Sequence, residues 1–292
     1  MDQKKYQFGL VGFPLGHSLS PRLHKAALEE LGLCGDYNLF PIPDSSGKLV
    51  KLNEVLNQIR SKTLNGINVT IPYKEIVFSL VDTLTPVALA TGAVNTVYLH
   101  DDQLAGDNTD VAGFSLDLLD FGVDYQNRPD KALVLGAGGA ARAVVYVLAK
   151  ANWNITIAAR RLTQAEMLSR DTQVQLHTIT PSPIILSKTA LEELTDEFAL
   201  IVNTTPVGMA PNSDNSPWPR NQHFPSSGLV YDLVYNPRET SFLQQARLSG
   251  LATRNGLGML VRQAAAAFER WTGRVAPFEA MWKTVDDFRI NS

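Results

Sequence analysis

A chain of 292 residues has room for two domains at about 150 residues each and can bury a core without help from disulfides or metals. Its 45% hydrophobic and 19% charged residues lie near the average of folded soluble domains, which excludes a disordered or collagen-like chain. Twenty-six basic residues against 29 acidic ones leave a net charge of -3 without any basic run, so the expected partner is a small molecule, not nucleic acid or an anionic membrane.

The polar stretch Met1 to Gln7 runs directly into Phe8-Gly9-Leu10-Val11-Gly12, without the long apolar stretch and small-residue cleavage site of a signal peptide. No apolar segment reaches the ~18 residues of a membrane span. Cys34 is the single cysteine and cannot form an internal disulfide. The five histidines, His17, His24, His100, His177 and His223, show no metal-ligand spacing, so no metal is expected. The expected compartment is reducing and cytoplasmic.

Short apolar runs alternate with helical periods of roughly 10 to 15 residues, the signature of an α/β fold built on mostly parallel sheets. Strands are predicted at Phe8 to Gly12, Tyr37 to Ile42, Gly66 to Ile71 and Ala93 to Tyr98, with helices at Pro21 to Leu31, Leu49 to Arg60 and Glu75 to Val81. Ser20-Pro21 reads as a capping serine followed by a first-turn proline. The segment Gly106 to Asp110 is expected to bridge two domains, residues 1–110 completed by 256–292 and residues 111–255, with a cleft between them. In the second, strands are predicted at Lys131 to Leu135, Asn154 to Ala159, Leu229 to Tyr235 and Leu251 to Arg254, with a helix at Ala140 to Lys150; the closing helices predicted at Met259 to Trp271 and Pro277 to Phe288 complete the first. Pro211 to Ser227 has no periodicity and is expected to be a loop.

Lys131 to Leu135 runs into Gly136-Ala137-Gly138-Gly139-Ala140-Ala141, a G-x-G-x-x-A turn in the strand–turn–helix context of dinucleotide binding. Gly136 suits the tight turn, Gly138 the approach of a pyrophosphate, and Ala141 close helix packing. The plainer alternative is a glycine turn that serves packing alone. Asp or Glu at the end of the next strand would bind the ribose 2′-hydroxyl of NAD. Asn154 to Ala159 ends instead in Arg160-Arg161, with no carboxylate before Glu166, which points to the 2′-phosphate of NADP unless both arginines are simply solvated.

Lys74, in Asn68-Val69-Thr70-Ile71-Pro72-Tyr73-Lys74, is predicted in the first turn of a helix, where a cation opposes the macrodipole by ~0.3–1 kcal/mol. That placement suggests a role other than helix stability, although an isolated lysine usually points into water. Gln263, in an otherwise apolar helical stretch, would need partners if buried; the alternative is an exposed helix position.

Seven segments in register, Gly16 to Pro21, Asn68 to Lys74, Gly92 to Thr96, Gly106 to Asp110, Gly136 to Arg142, Asn203 to Met209 and Asn255 to Gln263, resemble the motifs of the shikimate dehydrogenase family. The resemblance spans residues 8 to about 275. It implies NADP-linked interconversion of 3-dehydroshikimate and shikimate on the route to aromatic amino acids; a monomer or homodimer is expected. It implies Lys74 and Asp110 as the catalytic pair. Ser18, Ser20 and Tyr235 would hold the substrate carboxylate, and Thr70, Lys74, Asn95, Asp110 and Gln263 the ring hydroxyls. Gly136, Ala137, Gly138, Gly139, Ala140, Arg160, Arg161, Thr204, Thr205, Pro206, Gly256 and Met259 would hold NADP.

The residue chemistry agrees. Alcohol oxidation by hydride transfer needs a group to take the hydroxyl proton, and a positioned acid or base contributes about 10²–10⁴-fold. An ordinary lysine amine is protonated at neutral pH, which suits a general acid in the reductive direction.

The chain departs from the family pattern at Lys25, often asparagine, and at Ala159-Arg160-Arg161, usually Asn-Arg-Thr; Gln164 stands near where the family has another basic residue. Plant relatives that act on quinate lack the second serine or the threonine of the Asn-Val-Thr stretch. Ser20 and Thr70 are both present, so shikimate leads. The alternatives are a quinate/shikimate dehydrogenase of broader substrate or NAD preference, a non-catalytic dinucleotide sensor, and a partner-binding scaffold.

Overall fold

A computed structural model describes residues 5–177, 179–194, 198–219 and 222–286. The chain divides into two compact units, Met1–Gly113 with Leu260–Ser292, and Phe114–Met259. Each contains one six-stranded sheet, and the α/β class with mostly parallel strands is what the structure shows.

The first unit runs β1 (Tyr6–Gly12), α1 (Ser20–Glu30), β2 (Gly35–Pro41), α2 (Lys48–Arg60), β3 (Gly66–Val69), α3 (Lys74–Phe78), β4 (Thr83–Leu84), α4 (Pro86–Thr91), β5 (Thr96–His100), β6 (Gln103–Asp107) and the start of α5 (Asp110–Asp120). Its strand order is β2-β1-β3-β5-β6-β4. β1 pairs in parallel with β2 and β3, and six of its seven residues are buried, the burial on both faces that goes with a continuous apolar run. The helix faces follow from spacing. α1 buries Ser20, Leu23, His24, Ala27 and Leu28, and α2 buries Leu52, Val55, Leu56 and Ile59, the i, i+3, i+4, i+7 stripe of an amphipathic helix.

Four expectations need correction. Ser20 is the first helical residue and not the cap; its N–H instead donates to Ser18 Oγ at 3.3 Å. The helix predicted to Val81 ends at Phe78. The strand predicted from Ala93 begins at Thr96, because Val94 N–H turns to the Lys74 carbonyl. Gly106 and Asp107 belong to β6, which pairs antiparallel with β5 through a hairpin whose central residues, Asp101 and Asp102, both have left-handed φ (49° and 58°).

His24 lies in the aromatic core of this unit, stacked 4.5 Å from Tyr37 and tilted against Trp271 at 5.0 Å. Burial pushes its imidazole down to about 3, with Asn68 offsetting a smaller part, so the ring is neutral and acts as packing.

The second unit runs β7 (Lys131–Leu135), α6 (Gly139–Lys150), β8 (Asn154–Ala159), α7 (Leu162–Leu176), β9 (Ser182–Ile185), α8 (Lys188–Glu192), β10 (Leu200–Asn203), β11 (Leu229–Asp232), α9 (Ser241–Leu248) and β12 (Ala252–Asn255). Every pairing is parallel, in the order β12-β11-β10-β7-β8-β9. Read from the other edge, this is the 3-2-1-4-5-6 order of a doubly wound dinucleotide fold, with its switch point between β7 and β10. The described part of 211–227 carries no helix or strand. The chain closes with α10 (Leu257–Thr272) and α11 (Phe278–Asp286); the end of the predicted last helix lies outside the described residues. Among the described residues no helix is long and apolar enough to cross a membrane.

Candidate active site

In the first unit, Pro72 follows β3 and the chain turns into α3 with Lys74 as its first residue. Lys74 Nζ donates to Asp110 Oδ2 at 2.5 Å, and the two side chains are 14% and 6% exposed. So little water reaches the pair that removing one partner would strand the other, a loss of about 3–5 kcal/mol for a buried pair. Asp110 Oδ1 accepts from Asn95 Nδ2 at 2.8 Å, and Asn95 Nδ2 also points to Gln263 Oε1 at 3.5 Å. Gln263 is buried, and its Nε2 donates to the Leu260 carbonyl at 2.9 Å. Its exposed-face alternative is thereby removed.

Residues without an assigned role complete this network. Asn95 Oδ1 accepts from Thr109 N–H at 2.7 Å and from Thr96 Oγ1 at 2.9 Å. Asn68 Nδ2 donates to Thr96 Oγ1 at 3.2 Å, and Asn68 Oδ1 accepts from the Tyr37 hydroxyl at 2.9 Å. Asn95 therefore has no rotational freedom, and it fixes Asp110 Oδ1 while Lys74 holds Oδ2. The sequence signal for these residues is present in the Asn68 to Thr70 and Asn108 to Asp110 stretches, but their polarity alone does not say which side chains meet.

Ser18 and Ser20 stand at the start of α1, joined to each other by the Ser20 N–H. Thr70 follows β3, its N–H bonded to the Val11 carbonyl at 2.8 Å and its methyl set against Gly12. Among the described residues no hydrogen bond joins the two serines to the Lys74 cluster. Tyr235 lies in the second unit, three residues past the end of β11.

In the second unit, Gly136 leaves β7 with φ +112°, and a Cβ there would lie 2.5 Å from Thr204 Oγ1, so conformation and space both demand glycine. Thr204 Oγ1 donates to the Leu135 carbonyl at 2.7 Å, which locks the ends of β7 and β10 together at the switch point. Gly138 differs: a Cβ there would meet nothing within 4 Å. The space beside it is open, Gly139 and Ala140 begin α6, and the first amides of that helix form a ready anion site. These features fit a dinucleotide pyrophosphate. At the end of β8, Arg160 and Arg161 are exposed, and among the described residues neither is held in an ion pair. Arg161 Nε donates to Gln164 Oε1 at 3.0 Å.

Asn203 shapes the neighbouring turn by accepting from Thr205 N–H at 3.0 Å and Thr205 Oγ1 at 2.7 Å. Its Nδ2 donates to Asp232 Oδ1 at 2.8 Å. Asp232 also accepts from Val234 N–H at 3.0 Å and from Thr240 Oγ1 at 2.6 Å. Burial pushes this carboxyl up to about 6, against the pull of those three donors. One buried carboxyl group thus organises the Thr204-Thr205-Pro206 turn, the approach to Tyr235 and the cap of α9.

A parallel sheet in dinucleotide order with a glycine turn at its switch point, together with a separate α/β unit bearing a buried lysine–carboxylate pair, defines a two-unit protein of the dinucleotide-binding α/β class. Family models described as the shikimate dehydrogenase substrate binding domain and the shikimate 5'-dehydrogenase C-terminal domain match residues 10–97 and 256–285. The NADP(+) shikimate dehydrogenase of Symbiobacterium thermophilum is 41% identical over 94% of this chain and 91% of its own. A crystal structure of shikimate 5-dehydrogenase from Thermus thermophilus, in complex with NADP(H) and shikimate, is 36% identical with a TM-score of 0.81, covering 97% of this chain and 99% of that one. Quinate dehydrogenase from Corynebacterium glutamicum, in complex with NAD, is 28% identical with a TM-score of 0.84 over 97% of this chain and 100% of that one. The chain belongs to the shikimate dehydrogenase family.

Proposed function

We propose that this protein interconverts 3-dehydroshikimate and shikimate with NADP(H), in the biosynthesis of aromatic amino acids. The observation that carries the reading is the buried Lys74–Asp110 pair, with Asn95 and Gln263 bonded around it, in a unit similar to those of NADP-linked shikimate dehydrogenases. The first unit is read as the substrate domain and the second as the NADP domain. NADPH supplies the hydride for reduction, and NADP accepts it in the reverse direction.

As the substrate carbonyl carbon gains a hydride, its oxygen gains a proton from Lys74 Nζ and becomes the hydroxyl of shikimate. Asp110 keeps the ammonium directed, and Asn95 keeps Asp110 directed. A positioned proton donor of this kind contributes about 10²–10⁴-fold. Thr70, Asn95, Asp110 and Gln263 bind ring hydroxyls, while Ser18 and Ser20 hold the carboxylate, with Tyr235 proposed as a further hydroxyl for it. Gly136 to Ala140 and the Thr204 to Pro206 turn receive the dinucleotide phosphates and ribose, Arg160 and Arg161 its 2′-phosphate, and Gly256 and Met259 its far end. The protein is proposed to work in the cytoplasm, as a monomer or homodimer.

The likeness to a quinate dehydrogenase solved with NAD keeps a second reading in view, because a pocket without a clash rejects an added hydroxyl by only about 10². Initial rates with shikimate or quinate, each with NADP or NAD, separate the two. Turnover chiefly with shikimate and NADP is expected. Comparable quinate or NAD rates would establish the broader enzyme, and no turnover in any pairing would overturn both readings in favour of a dinucleotide sensor.

A further inference from the structure

The first turn of α10 is wedged between two fixed points of the second unit. A Cβ on Gly256 would lie 2.1 Å from the Leu233 carbonyl oxygen, and a Cβ on Gly258 would lie 1.8 Å from Asp117 Oδ1. Asp117, on α5, is fully buried. It accepts from the hydroxyl of Tyr231, which is fully buried too, and from Arg254 at 2.5 Å (Nη2) and 3.3 Å (Nε). The Tyr231 oxygen in turn accepts the backbone N–H of Met259, one of the first-turn amides that have no partner inside their own helix. A continuous chain of hydrogen bonds therefore runs from Arg254 on β12 through Asp117 and Tyr231 to the amide of Met259.

Stability does not explain this arrangement. A buried ion pair is often no better for stability than well-packed apolar side chains of the same volume; what it can supply is a defined geometry. We infer that Asp117, Tyr231 and Arg254 are positioning residues that hold the Gly256–Met259 turn in the one place where it can receive the nicotinamide end of NADP. The inference rests on the NADP reading given above. In a doubly wound sheet the two halves each take one mononucleotide. Arg160 and Arg161 mark the β7–β9 half for the adenosine 2′-phosphate, which leaves the β10–β12 half, and the turn that follows β12, for the nicotinamide.

The test compares NADP with 2′-phospho-ADP-ribose, which lacks the nicotinamide, by calorimetry on the full chain, together with steady-state rates on shikimate. Tyr231→Phe keeps the ring that packs edge-on to Phe114 at 5.3 Å and removes only the hydroxyl. Arg254→Lys keeps a cation opposite Asp117 with fewer donors, and carries the test if the first variant does not fold. Expected for either variant is a loss of about fivefold to tenfold in NADP affinity and in kcat/KM for NADP, the scale of one hydrogen bond, with fragment affinity within about twofold of the parent. Arg254→Lys should lose less than Tyr231→Phe. Unchanged NADP affinity, or equal losses for NADP and the fragment, would overturn the inference, the second outcome marking a general structural role. If the parent protein itself binds neither NADP nor the fragment, the NADP reading fails and this inference with it.

Discussion

Asp232 offers a prediction whose size follows from its surroundings. Its carboxyl is fully buried and held by three neutral donors, from Asn203, Val234 and Thr240. Raising it from an ordinary 3.8 to about 6 makes the folded protein about 3 kcal/mol less stable at neutral pH than an unperturbed group would leave it. The folded chain holds this proton more tightly than the unfolded chain. The favourable contribution is therefore complete below the unfolded value, near pH 4, and is lost as the pH rises through about 6. Asp232→Asn removes the charge and keeps most of the geometry: its Oδ1 still accepts from Asn203 and Val234, and its amide donates to Thr240 Oγ1, which reverses from donor to acceptor. The variant should gain stability over the parent by about 2.4 kcal/mol between pH 4 and pH 8, starting from whatever offset the substitution sets at pH 4. Urea unfolding followed by tryptophan fluorescence, on both proteins at several pH values, measures that difference. A difference that stays flat, or that falls as the pH rises, would refute the assignment of the titrating group to Asp232.

Lys74→Ala should lower kcat by about 10²–10⁴-fold with NADP affinity nearly intact, and should lower the melting temperature because Asp110 is left buried without its cation. Turnover at the parent rate would remove Lys74 from the mechanism. Arg160→Ala should weaken NADP by about 10- to 150-fold, the scale of one charge-assisted hydrogen bond, and leave NAD much less affected; equal losses in the two KM values would mean that this arginine does not read the 2′-phosphate. Gly138→Ala adds a methyl group where nothing lies within 4 Å, so thermal stability should hold while NADP affinity falls; unchanged affinity would show that no phosphate approaches there.

Local structure and the identity of the phosphate turn are written in the amino-acid order alone. Helix faces such as Leu52, Val55, Leu56 and Ile59 follow from 3.6-residue spacing, and the apolar runs of β1 and β7 from their burial on both sides, because both depend on near neighbours. Gly136 is legible for the same reason, since a strand, a positive φ and a helix start follow one another along the chain. Where local signals mislead, a longer-range bond intervenes: Val94 leaves the expected strand to bond the Lys74 carbonyl. Lys74 and Asp110 are recognisable from motif resemblance, but their 2.5 Å contact, and Asn95 bracing it, require β3, β5 and β6 to pair. Only the packed chain brings Asp117 to Tyr231 and Arg254 across separations of 114 and 137 residues, and buries Asp232 among neutral donors. Periodicity tells which face of an element is turned inward; the packing of sheets and helices determines which polar groups are turned inward together, and so which of them must satisfy one another.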